Sequence, residues 1–142
     1  MILQKETEQE IHNILADKEE ARDFLKMYCA YCEVVDDCID EPKSAEAIKT
    51  LTSMAAFVYN HKYWLKFSSM LSIVDRLIQN QYFDSVSMEH NDAVWAQQTA
   101  KFYSHAAMLM IFSIILIEKG PVALESISLK VRQASYEREL QS

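Results

Sequence analysis

Five acids fall within nine residues in the stretch Glu33-Val-Val-Asp36-Asp37-Cys-Ile-Asp40-Glu41. Helical spacing places them in or just past the last two turns of a helix, which Pro42 closes by disfavouring helix at Glu41. The C-terminal end of a helix already carries partial negative charge, so each acid there is unfavourable by roughly 0.3–1 kcal/mol. Acids three and four residues apart also repel one another. A local rule broken this consistently points to a site. Asp36 and Asp40 share one face at the edge of the apolar side, and Glu33 and Asp37 share the adjacent face. Hard oxygen ligands in this arrangement suit Mg²⁺, which keeps waters and takes substrate phosphates as further ligands. Glu33, Asp36, Asp37 and Asp40 are thus the expected metal ligands, and the three aspartates are expected to bind a ligand as well.

Other residues add chemistry further along the chain. Tyr63, Trp64, Tyr82 and Phe83 have the faces to stack a base or ring, although their helical spacing equally suits a core. Asp84 and Glu89 are the candidates for a second acidic element. Arg132 and Lys101 are candidates for phosphate contact. Tyr63, Trp64, Asp84 and Arg132 therefore join the three aspartates in the expected ligand-binding set. Asp75 lies between Leu71 and Ile78 on a largely apolar face, where a salt bridge with Arg76, Arg132 or a lysine is favoured over a place facing the acidic cluster. His105 shares a face with Lys101, Met108 and Leu109 and reads as a core histidine. Cys29-x-x-Cys32 lacks the second Cys or His pair of a zinc site and reads as packing.

Asp36-Asp37-Cys-Ile-Asp40 resembles the DDxxD motif of class I isoprenoid synthases, in which the acids hold Mg²⁺ against a substrate diphosphate. The resemblance covers those five residues, and no second DDxxD is present. Glu33-Val-Val-Asp36 is similar to one ExxD pair of the all-α nucleoside triphosphate pyrophosphatases, without a clean ExxE partner on a separate helix. A broader order spans roughly residues 24–133. It comprises an aromatic-rich helix ending in DDxxD, Asn60-His-Lys-Tyr63-Trp64, Tyr82-Phe-Asp84-Ser85 with Glu89, and Gly120 before Ser128-Leu-Lys-Val-Arg132. This order resembles a family of small helical proteins of tailed bacteriophages that often carries Trp-Asp-Asp-Leu-x-Asp in the first motif. Val35 stands where that tryptophan would be, and Glu41-Pro42 replaces the usual Gly-Asp. The resemblance implies a phage accessory role in the host cytoplasm and no particular reaction.

Helices must position these residues. The 142-residue chain is 50% hydrophobic and holds one glycine and two prolines. So few turn-formers argue against a β-rich fold. They also exclude a P-loop and a dinucleotide fingerprint, which need glycines beside phosphate. An all-α, single-domain bundle of five to six helices is expected over residues 1–142. The expected helices are Gln4–Ala16, Lys18–Ile39, one near Ala45–Tyr59 capped by Ser44, one carrying Trp64 to Ile78, and a long one from Asp92 to Lys119. Asp17 and Glu20 resemble a capping pair. A polar turn is expected around Ser85–Asn91, and a stop at Gly120 before a final helix from Pro121.

Net charge is −7, unevenly spread: residues 1–46 hold 13 acids and 5 bases (−8), and residues 47–142 hold 8 acids and 9 bases (+1). No basic stripe suits nucleic acid. The run Ala106–Ile117 is too short to cross a membrane, which takes about 20 apolar residues. It reads as a buried helix or a subunit interface, and a homo-oligomer is expected. Three cysteines without a signal peptide suggest reduced thiols in a cytoplasm.

Three functions fit. The favoured one is a binding protein for a small polar, phosphate-bearing or nucleotide-like ligand, which in a phage would counter a host response. The second is an Mg²⁺-dependent enzyme acting on a diphosphate. The third is an acidic inhibitor of a host protein.

Overall fold

The computed structural model describes residues 5–40 and 44–141; Glu41, Pro42 and the side chain of Asp40 lie outside the described residues. The described residues form an all-α bundle of six helices: α1 (Lys5–Ile14), α2 (Glu19–Asp40), α3 (Ala45–Tyr59), α4 (Lys62–Glu89), α5 (Val94–Tyr103) and α6 (Met108–Gln141). Helix α2 packs on α3, α4 and α6; α4 packs on α5 and α6; α1 lies against α6.

Side-chain caps set the corners. Ser44 Oγ accepts a hydrogen bond from Ala47 N at 3.0 Å and starts α3, satisfying one of the amides that a helix start leaves unpaired. His61 starts α4 by accepting from Tyr63 N at 3.0 Å through Nδ1, while its Nε2 lies 2.9 Å from Asp23 Oδ2 on α2. The corner between α3 and α4 is thereby tied to α2. The pairing expected of Asp17 is replaced by an ion pair: Asp17 accepts from Lys119, which holds its carboxyl below the usual range.

The core gathers the apolar stripes of α1, α2, α4 and α6, with Leu15, Phe24, Tyr28, Leu71, Met110, Ile114, Ile115, Ile127 and Val131 fully buried. The apolar run of 106–117 supplies much of it, with Ala106, Met110, Ile111, Phe112, Ile114 and Ile115 buried within this one chain. Among the described residues, no single helix is long and apolar enough to cross a membrane.

Two boundaries differ from the sequence reading. The expected long helix from Asp92 breaks into α5 and α6 at residues 104–107. There His105 N bonds to Phe102 O, and Met108 N to His105 O. These are tightened, three-residue turns. Ser104 Oγ takes the Lys101 carbonyl at 2.8 Å, the acceptor that a continuing α-helix would offer to His105 N, so the side chain competes with the helix ladder. The polar stretch from Ser85, expected as a turn, instead continues α4 to Glu89. Ser85 is only 1% exposed, and its hydroxyl bonds back to Tyr82 O. An internally bonded serine needs no loop.

The stop at Gly120 is real in the backbone. Helix α6 is broken there at φ 84°, ψ −179°. A side chain at this residue would meet nothing within 4 Å. The requirement is for left-handed backbone, which glycine adopts freely, and not for space.

Candidate functional site

Helices α2, α4 and the α5–α6 turn enclose a cavity of about 740 Å³, with Leu51 of α3 at one side. Its size lies within the range of small-molecule sites. Helix α4 is tied to the end of α5 by Gln81 Nε2, which donates to Tyr103 O at 3.2 Å. Asn91 Oδ1 accepts from Ala93 N at 2.8 Å in the tight turn between α4 and α5.

Glu33, Asp36 and Asp37 line this cavity from the last turns of α2. The tyrosine hydroxyl of Tyr82 on α4 donates to Asp36 Oδ1. Tyr82 and Phe83 also line the wall, and their rings meet edge to face at 5.6 Å between centroids. Glu89 reaches the cavity from the extra turn of α4, and Lys101 and His105 line it from α5 and the following turn.

At the inner wall sits Asp75, 7% exposed. Its Oδ1 accepts from Tyr28 Oη at 2.7 Å. Its Oδ2 accepts from Tyr59 Oη at 2.9 Å and Gln79 Nε2 at 2.9 Å. The salt bridge expected at Asp75 does not form: among the described residues its partners are neutral donors on α2, α3 and α4. Burial, with the neighbouring carboxylate as a smaller cause, holds both tyrosine hydroxyls well above their usual range, so they remain donors. Three hydrogen bonds compensate for removing a carboxyl group from water, where an unpaired one would be costly.

An aromatic wall stands behind this group. Tyr31 meets Tyr59 edge to face at 6.0 Å, and Tyr59 meets Trp64 at 4.9 Å. Phe24 stacks on Tyr63 at 5.6 Å. Tyr63 and Trp64 thus pack among other rings and are not cavity-lining residues. Trp64 buttresses Tyr59, which in turn holds Asp75. Asp84 is exposed on α4 and does not line the cavity. Arg132 lies over the Phe112 ring at 4.8 Å, away from the cavity wall.

Of the acids expected as Mg²⁺ ligands, three line one cavity, while Asp40 has no described side chain. Among the described residues, no three Asp, Glu, His or Cys side chains converge as a metal-binding group. The three cysteines are free thiols. Burial pushes Cys29 up to about 11 and Cys32 up to about 12, which suits packing and disfavours thiolate chemistry.

The Tyr28–Asp75–Tyr59 arrangement is what the sequence reading missed. The available signal was an aspartate on an apolar face followed by Gln79 four residues later, a spacing that meets on a helix. No family model matches the chain, and neither a curated protein nor a solved structure is detectably similar to it.

Proposed function

We propose that this protein binds a small polar ligand in the cavity between α2, α4 and the α5–α6 turn. One observation carries the reading: the acidic end of α2, a buried aspartate held by three donors, and ring-bearing walls all meet at one cavity of metabolite size. A few placed polar groups among aromatic surface are the usual make-up of such sites. The phage-family resemblance adds a setting, an accessory protein that sequesters a small molecule in a host cytoplasm. Lys101 gives a nucleotide-like ligand one cationic contact, and Tyr82 and Phe83 give it rings to stack on.

The test is native mass spectrometry of the full chain purified from its own host or from infected cells, beside the variant Ser104→Trp, which places an indole at the cavity wall. The expected result is a retained small molecule in the wild type that is absent from the variant. Protein of bare mass in both would sink the proposal.

A second reading, Mg²⁺-dependent chemistry on a diphosphate, draws on the position of Glu33, Asp36 and Asp37 along the same wall. It requires Mg²⁺-dependent release of pyrophosphate, lost on Asp36→Asn. The binding reading requires no turnover.

A further inference from the structure

The cavity carries a charge imbalance that narrows the ligand. Glu33, Asp36, Asp37, Asp75 and Glu89 line it against the single lysine Lys101. An acidic rim alone is satisfied by water, but Asp75 is a different case. It is buried, it lines the cavity, and its three partners are all neutral. A carboxylate offers about four acceptor positions on its two oxygens. Oδ2 takes two hydrogen bonds and Oδ1 takes one, so one acceptor position on Oδ1 is left. Buried carboxylates are normally paired with a cation, and among the described residues this one makes no ion pair with a base.

Tyr31, partly exposed, borders the same wall as Asp75, its ring packed on the buried ring of Tyr28 at 6.3 Å between centroids. Aromatic faces attract cations, more strongly where water is excluded. A flat cation that donates hydrogen bonds edge-on and presents a face to a ring satisfies both features together. A phosphate satisfies neither, because the carboxylates repel it.

We propose that the cavity is a site for an organic cation with a planar nitrogen head, of the amidinium, guanidinium or aromatic-amine class, that docks on Asp75 beside the partly exposed ring of Tyr31. Its entry passes the acids of the α2 end, which draw it in by charge. Lys101, on the opposite wall, sets the cation on the α2–α4 side and is placed to meet an electron-rich tail. This inference rests on the reading of the cavity as a ligand site and adds the sign of the ligand's charge.

The test compares two probes of nearly equal shape, benzamidine and its neutral counterpart benzamide, titrated into the full chain by calorimetry at physiological salt. Benzamidine is expected to bind about tenfold tighter than benzamide or better, a factor typical of one ion pair or cation–π contact in a sheltered site. Asp75→Asn is expected to abolish that preference. Because Asp75→Asn turns one of the two acceptor oxygens into a donor amide and leaves one tyrosine hydroxyl without its acceptor, the exposed pair Asp36→Asn with Asp37→Asn is measured beside it, with a several-fold weakening expected.

Equal binding of the two probes would overturn the cation assignment while leaving the cavity as a ligand site. Binding of adenosine monophosphate in the absence of benzamidine binding would do the same. Benzamidine binding that is unchanged in all variants would place the cation on the acidic surface and overturn the proposal. No binding of either probe to the wild type also overturns it, and the retained-ligand measurement then decides the cavity reading separately.

Discussion

The two halves of α2 are built for different purposes. From Glu19 to Tyr28 the helix alternates between buried and open positions, with Ala21, Phe24, Leu25 and Tyr28 inside the core. From Tyr31 to Ile39 no side chain is buried, although Tyr31, Cys32, Val34 and Val35 are all partly covered. The first half follows the 3.6-residue period that packing demands. The second keeps helical geometry but presents its residues to a cavity. Tyr28 is the joint between them, with its ring in the core and its hydroxyl on Asp75. One continuous helix thus transmits the position of a rigid core to a polar wall, the most direct way to hold a site in register.

Substitutions that separate the two halves test this contrast. Phe24→Ala removes a fully buried ring and is expected to destabilise the fold by about 3–5 kcal/mol, read by urea denaturation with circular dichroism. A loss below about 1 kcal/mol would show that the first half is not the packed half. High pH is the next largest lever. The Cys29 and Cys32 thiols are held up at about 11 and about 12 against an ordinary value of 9.0. Groups whose pKa is raised on folding contribute stability that is fully present below pH 9 and is lost as pH rises toward 12. The expected loss is roughly 1 kcal/mol per thiol between pH 9 and pH 10. A chemical-denaturation series across that window checks it, and a flat profile contradicts it. Alkylation of both thiols by iodoacetamide at pH 8.5 is expected to be slow in the native chain and rapid in urea.

Tyr28→Phe acts at the joint. It removes one of three donors to Asp75 and leaves the ring, so the expected cost is about 1–2 kcal/mol. If the cavity serves a ligand that uses Asp75, affinity for that ligand changes as well. An equal loss of stability and no change in binding would place Asp75 on the structural side of the comparison.

Much of the fold was legible in the sequence, because it rests on periodicity and on residues with strong local preferences. The Ser44 cap, the break at Asn60–His61 and the stop at Gly120 each depend on the backbone demands of a single residue type. The split between α5 and α6 was not legible. Nothing in the composition of residues 92–119 announces that Ser104 will take the carbonyl of Lys101. The candidate site shows the same divide. The acids of α2 were visible as a violation of helix-end electrostatics. The Asp75 arrangement was hidden because its partners come from three helices, at separations of 47, 16 and 4 residues. Only packing brings such residues together, and a lone aspartate on an apolar face reads equally well as one member of a salt bridge.

The smallest expected effect is the most pointed test of the contrast. Asp36→Asn and Asp37→Asn each remove a negative charge from the negative end of α2, where an acid is unfavourable by roughly 0.3–1 kcal/mol. Neither residue is buried, so no packing is lost. Asp36 also accepts from Tyr82, and an asparagine carbonyl retains an acceptor for that hydroxyl. Asp37→Asn should therefore raise the melting temperature slightly, and Asp36→Asn should leave it level or raise it less. The difference between them measures what the charge on Asp36 adds to its hydrogen bond. If both variants melt lower than wild type, the acids serve the fold and the two halves of α2 are one structural unit. If both melt above wild type, the folded state bears a local cost at this wall, the result expected where the acids are kept for a ligand in the cavity.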